Sequence, residues 1–149
     1  MPRTPPPLRA DFPAFVPLQT RWNDNDEYGH LNNATYFELF DTAITYWQME
    51  NGINVRGPDA WRFVVVENGC TYFREVGFPD ALSAGLRIAR LGGSSYRIEV
   101  GLFREGEEEA ASLGFFVNVL TGADTRPTPI PGDLRARLSR IAVPEAAGG

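Results

Sequence analysis

Residues 21–36 read RWNDNDEYGHLNNATY, and the order of residue types within them decides the fold. Two aspartates, a Tyr28-Gly29 turn, the lone histidine His30 and the pair Asn32-Asn33 stand directly before a long apolar run of helical period. That order predicts strand, acidic loop, helix N-terminus. The first N–H groups of a helix have no intrahelical acceptor, and the aligned peptide dipoles add partial positive charge there. An electron-rich oxygen is favoured at that point.

C-terminal to this stretch, the pattern predicts a helix over residues 33–51. Tyr36, Phe40, Ala43 and Trp47 form one stripe, and Phe37 with Ile44 and Leu39 with Tyr46 widen it until only Glu38, Asp41, Thr45 and Gln48 make a polar line. A helix so apolar on most sides is expected to be enclosed by a sheet. Asn32 or Asn33 suits its N-cap, and Gly52 after Asn51 its stop. On the N-terminal side, residues 15–22 alternate loosely as a first strand, with Pro17 restricted to an edge or a strand beginning. Residues 1–14 hold five prolines and read as an extended, mobile arm.

Beyond the loop at residues 55–60, four strand-like runs cover 61–76, 81–91, 96–104 and 110–120. Residues 77–80, Gly92-Gly93 and 104–107 read as tight turns between them, which predicts an antiparallel meander. The acidic run Glu107-Glu108-Glu109 reads as a solvated hairpin tip. Residues 134–141 support one short helix, and 143–149 a frayed end. The expected division is an arm at 1–14, one domain at 15–141 and a tail at 142–149. One α+β core accounts for the chain, with no repeat and no linker.

Composition narrows the function classes. The chain has 149 residues, 43% hydrophobic and 22% charged, with a net charge of −5, ordinary for one globular domain and unfavourable for nucleic acid as the main partner. All 14 basic residues are arginine, so Schiff-base chemistry on lysine is excluded. Cys70 is alone, which rules out a disulfide framework and a cysteine-rich metal site, and its mid-strand position reads as a buried structural thiol. One imidazole among carboxylates does not predict a metal. The N-terminal segment has no apolar core of a signal sequence, and no run approaches the roughly 18 residues of a membrane span. The expected location is cytoplasmic.

The pattern R-W-x-D-x-D-x-x-G-H-x-N-N-x-x-Y over residues 21–36 resembles the N-terminal signature of the hotdog-fold acyl-CoA thioesterases of the 4-hydroxybenzoyl-CoA thioesterase type, and the order of elements resembles that group over about residues 15–140. The resemblance implies an α+β hotdog fold, an antiparallel sheet wrapped around one long helix. It implies hydrolysis of an acyl-CoA to a free acid and coenzyme A without a metal or other cofactor, in a homodimer or homotetramer with sites between subunits. By motif position the catalytic carboxylate is Asp26, as general base or nucleophile, and the oxyanion donor is the backbone N–H of Asn33.

Asp24 is expected to hold the loop that positions Asp26. For His30 three tasks stand side by side: organising the loop, contacting the thioester, or satisfying a neighbouring carbonyl, with the first preferred. Tyr36, Phe37 and Phe40 are candidate acyl-pocket residues, together with residues 67–72 of a second subunit, although all three aromatics suit a core equally well. Arg87, Arg90, Arg97 and Arg104 are weak candidates for coenzyme A phosphates. Two rival functions follow from the same fold. A hydratase or dehydratase would use a G-D-x-N-P-x-H type loop, which the D-E-Y-G-H order here does not match, and a non-catalytic acyl-CoA-binding protein would have no need of Asp26.

Overall fold

The Asn32 side chain accepts the Ala34 N–H at 2.9 Å and starts the central helix α1, Asn33–Glu50, which ends ahead of Gly52 at a φ of +72°. This computed structural model describes residues 4–144. Tyr36, Phe40, Ala43, Ile44 and Trp47 of α1 are buried against the inner face of a sheet. The sheet does not enclose the helix on all sides: Tyr46 and Met49 stand 54% and 49% exposed on its far side. The breadth of the apolar stripe therefore exceeds what the sheet covers.

Five strands form that sheet: β1 Ala14–Gln19, β2 Phe63–Tyr72, β3 Ala81–Leu91, β4 Ser95–Arg104 and β5 Ser112–Leu120. Their order is β1-β3-β4-β5-β2, with every neighbouring pair antiparallel. This is the α+β hotdog arrangement that the motif resemblance implies. Alternation works as expected on β4, where Tyr96, Ile98, Val100 and Leu102 are buried. Pro17 sits in the edge strand β1, opposite Ser83, where its missing N–H costs the ladder least.

The meander reading needs correction. It holds for β3-β4-β5, but β2 does not pair with β3; it pairs with β5, from Phe63 opposite Leu120 to Tyr72 opposite Ser112, at the other edge. Residues 73–80 are thus a crossover rather than a hairpin turn. The motif loop satisfies the crossover's backbone: Leu31 N–H donates to the Val76 carbonyl at 2.9 Å, and the Phe78 N–H donates to Asn25 Oδ1 at 2.9 Å. Gly77 allows the close approach, since a Cβ there would lie 2.7 Å from the Gly29 oxygen. Turn residues announce a reversal without saying which strand comes next.

The N-terminal arm is the second correction. From residue 4 onward it lies on the outer face of the sheet, with Ala110 N–H donating to the Pro7 carbonyl at 2.9 Å and Arg9 N–H to the Glu108 carbonyl at 3.1 Å. Phe12 is 5% exposed and fills a notch left by Gly85 and Gly101, where an added Cβ would come within 2.7 Å and 2.6 Å of its ring. Its ring also meets Phe103 edge-on at 5.7 Å. The same clamp changes the acidic run from a free tip into a docked one: Arg74 reaches Glu107 at 3.2 Å and Glu109 at 3.5 Å. At the other end, α2, Gly132–Leu138, and a following turn bury Leu134, Leu138 and Ile141, and Val143 N–H donates to the Ile88 carbonyl at 3.0 Å. The fraying expected from Val143 onward does not apply there, and residues 145–149 and 1–3 lie outside the described residues. No helix among the described residues is long and apolar enough to cross a membrane.

If Phe12 is a keystone, Phe12→Ala should remove about 3–5 kcal/mol of stability, the usual range for an emptied aromatic site. Urea denaturation checks this. A freely mobile arm would instead give a change within about 0.5 kcal/mol.

Candidate active site

The motif loop closes on itself. Asp26 N–H donates to the His30 carbonyl at 2.7 Å, Gly29 N–H donates to the Asp26 carbonyl at 3.2 Å, and Asn25 bridges Leu31. Gly29 takes a φ of +81°, a conformation that L side chains rarely adopt. Within this turn, Asp26 Oδ1 accepts the N–H groups of Tyr28 at 2.8 Å and His30 at 3.2 Å. Its other oxygen, Oδ2, makes no hydrogen bond to the described residues. Asp26 is therefore an Asx-turn residue through one oxygen and half-buried with the second one free.

Asp24 has a different post. It is 2% exposed, and its carboxylate accepts the Arg21 N–H at 2.7 Å and the Arg21 guanidinium at 2.9 Å, while its carbonyl accepts the Asn32 N–H at 2.9 Å. It holds the loop and does not reach solvent. His30 ties the loop to the crossover, with Nε2 2.9 Å from Glu75 Oε2 at a partly exposed position. The His30 contribution to Asp26 comes from its backbone, not from its ring.

Four consecutive amides at the helix start show where the open donor lies. Leu31 N–H is taken by Val76, Asn32 N–H by the Asp24 carbonyl, and Ala34 N–H by the Asn32 side chain. Asn33 N–H alone finds no acceptor among the described residues. Its side-chain oxygen accepts the Tyr72 hydroxyl, and the Tyr72 ring meets Tyr36 edge-on at 4.9 Å. Burial, with Cys70 alongside, pushes the Tyr72 hydroxyl up to about 12, so it remains a proton donor at neutral pH. The Cys70 thiol is pushed up to about 11, chiefly by burial, and carries too little thiolate to act as a nucleophile. It is half-buried rather than sealed in the core.

Asp26, His30, Asn33, Tyr36 and Tyr72 line one open cleft of about 630 Å³. The sequence reading thus brings Asp26, His30, Asn33 and Tyr36 together. Phe40 is fully buried over Gly114, and Phe37 packs edge-on against Phe40 and Phe116 at 5.9 and 6.1 Å. Neither lines the cleft, so their place here is the core. Tyr72 comes from the same chain, where a wall from residues 67–72 was expected of a second subunit. Its signal was the strand alternation that places Cys70 and Tyr72 on the face of Gly114 and Ser112. Of the four arginines, Arg87 and Arg97 both pair with Glu99, at 2.8 and 3.3 Å, and Arg104 pairs with Asp80 at 3.2 Å. None of the four lines this cleft. No three His, Cys, Asp or Glu side chains converge on a metal-sized site among the described residues.

A carboxylate oxygen and an unpaired N–H at a helix start, facing one cleft, match what acyl transfer needs: an oxygen to deliver or activate the attacking group, and a donor for the oxyanion. The chain is similar to several known proteins. The PA5185 protein of Pseudomonas aeruginosa strain PAO1 is 44% identical, with a TM-score of 0.87 over 93% of this chain and 97% of that one. A thioesterase of Thermus thermophilus, crystallised with coenzyme A and Zn, is 32% identical, with a TM-score of 0.71 over 88% of this chain and 95% of its own. The YsmA protein of Bacillus subtilis (strain 168), whose function is uncharacterised, is 28% identical over 101 residues, 66% of this chain and 67% of YsmA. The sequence pattern of the thioesterase-like superfamily matches residues 20–138, and the chain belongs to that family.

Proposed function

We propose that the chain is an acyl-CoA thioesterase that hydrolyses an acyl-CoA to a free carboxylic acid and coenzyme A. The observation that carries this reading is the pairing of Asp26 Oδ2 with the open Asn33 N–H across one cleft. In the reaction, the thioester carbonyl oxygen takes the Asn33 N–H, and Asp26 acts on the carbonyl carbon directly or through a water. The carbon gains an oxygen that comes from water, the C–S bond breaks, and the thiolate leaves and is protonated. One such donor is worth about 2.7–4 kcal/mol and a positioned base roughly 10²–10⁴ in rate. The relative crystallised with coenzyme A supports this thiol carrier.

The reading includes a homodimer. β2 is an edge strand, and Val64, Val65 and Val66 on it are 42%, 47% and 59% exposed, a long apolar edge of the kind that proteins normally cover. A second copy paired along β2 covers it and shelters the exposed side of α1.

Asp26→Asn is nearly isosteric and should lower kcat by about 10² or more on the best acyl-CoA while the melting temperature holds. His30→Ala should cost markedly less, since the ring pairs with Glu75 while the N–H that holds Asp26 belongs to the backbone. Wild-type turnover by the Asp26 variant in a thiol-release assay would remove the assignment. Asn33→Ala keeps the backbone donor and should retain activity within about tenfold, whereas a loss as deep as that of Asp26→Asn would transfer the role to the side chain. Light scattering at micromolar concentration should return at least twice 16.5 kDa, and a monomer mass would refute the paired edge.

A further inference from the structure

A single backbone donor at Asn33 leaves an oxyanion with an unmet lone pair. The oxygen of a tetrahedral intermediate carries a full negative charge, and preorganised donors aimed at it are worth more than in water. With the Leu31, Asn32 and Ala34 N–H groups already bonded, a second donor has to be a side chain. The cleft offers few that are suited. The Arg74 guanidinium is held by Glu107 at 3.2 Å and Glu109 at 3.5 Å, and the His30 ring by Glu75 at 2.9 Å. Tyr36 is buried, and its hydroxyl is turned to the Val76 backbone on the crossover. Tyr28 stands 76% exposed, too open to hold its hydroxyl in one place.

Tyr72 differs from all of these. Strand alternation on β2 puts it on the inner face opposite Ser112, and directly after it the Phe73 and Arg74 N–H groups both donate to the Ala111 carbonyl, at 2.8 and 3.0 Å. The end of the strand is thereby fixed. The ring stands edge-on against Tyr36 at 4.9 Å, and the hydroxyl donates to Asn33 Oδ1. It is thus bonded to the residue that owns the open N–H, in the wall of the cleft that also holds Asp26. A phenol O–H turns about its C–O bond, so the hydrogen can pass from Asn33 Oδ1 to another oxygen while the ring stays in place. Asn33 is exposed, and water replaces the lost partner on its side chain. One hydrogen bond is exchanged for another, and the new one strengthens as charge develops, since bonds to ionised acceptors are roughly twice as strong as neutral ones. That difference favours the charged state over the ground state, which is what catalysis requires.

We propose that the Tyr72 hydroxyl is the second oxyanion donor, turning from Asn33 Oδ1 to the thioester oxygen as that oxygen becomes negative. This rests on the thioesterase reading. No proton changes hands in the step: Tyr72 keeps its hydrogen throughout, in keeping with a hydroxyl that burial holds in the neutral form, and the leaving thiolate is protonated from another source. Asn33 then serves twice, with its backbone N–H as the first donor and its side chain as the resting partner of the second.

The test uses the full chain and its fastest substrate in a panel running from acetyl-CoA to palmitoyl-CoA, with benzoyl-CoA added. Tyr72→Phe removes the hydroxyl and keeps the ring against Tyr36, so the melting temperature should hold. Its kcat should fall about 10²-fold, the usual effect of one lost oxyanion donor, with KM within about threefold of the native value. A kcat within about threefold of native overturns the inference and leaves the thioesterase reading standing. Absence of thiol release from every acyl-CoA by the unaltered chain removes the thioesterase reading itself. A double-mutant cycle with Asn33→Ala separates direct action from positioning. A hydroxyl that touches the substrate costs the same factor when removed from the Asn33→Ala chain as from the native one. A hydroxyl that only holds the Asn33 side chain costs nothing once that side chain is gone, and this second outcome overturns the proposal even where the single variant is slow.

Discussion

The hydrogen bond from the Asn32 N–H to the Asp24 carbonyl, 2.9 Å long, is the constraint on which the site depends. It fixes where the loop stops and the helix starts, and with Leu31 bound to Val76 it satisfies both amides directly ahead of Asn33. The donor at Asn33 is open because its neighbours are closed. Asp24 maintains this from a buried position, with its charge met by the Arg21 amide and guanidinium. A buried carboxylate without such partners would cost several kcal/mol. The same loop holds Asp26 by one oxygen only, which makes a residue that is structural and chemically available at once.

The inner and outer faces of the sheet use glycine for opposite purposes. On the inner face Gly114 lets the Phe40 ring settle onto β5 and brings α1 close to the sheet. On the outer face Gly85 and Gly101 form the notch for Phe12, and so bind residues 4–12 to strands far along the chain. Glycine weakens a strand by itself, and here the aromatic ring seated in each gap offsets that weakness with buried area.

What the sequence made legible was local. The helix start at Asn33, the limits of β3 at Ala81 and Leu91, and the crowded loop around Asp26 all follow from caps, alternation and turn residues within a few positions of each other. What it concealed was pairing at a distance. Nothing near Phe63–Tyr72 says that its neighbour is β5 rather than β3, because both strands offer the same apolar face. Phe12 reads as one more residue of a proline-rich arm until Gly85 and Gly101 are brought beneath it. Tyr72 was visible as a strand residue and joins the cleft only because the crossover returns β2 to the loop. Phe37 and Phe40 pack among core aromatics, and an aromatic one turn beyond the motif loop is as readily turned into the core as toward a ligand.

The elevated Cys70 thiol has a practical side. It is the only sulfhydryl in the chain, on a strand beside the cleft, and burial keeps it almost wholly protonated in neutral buffer. A chromogenic disulfide added to detect a liberated thiol therefore meets little protein thiolate in neutral buffer, and the protein's own share of the colour is small. The same thiol becomes a sensor when the wall it lies in is disturbed: loosening of β2 around Cys70 and Tyr72 would let water in, restore the thiolate and turn a blank into a signal of local opening.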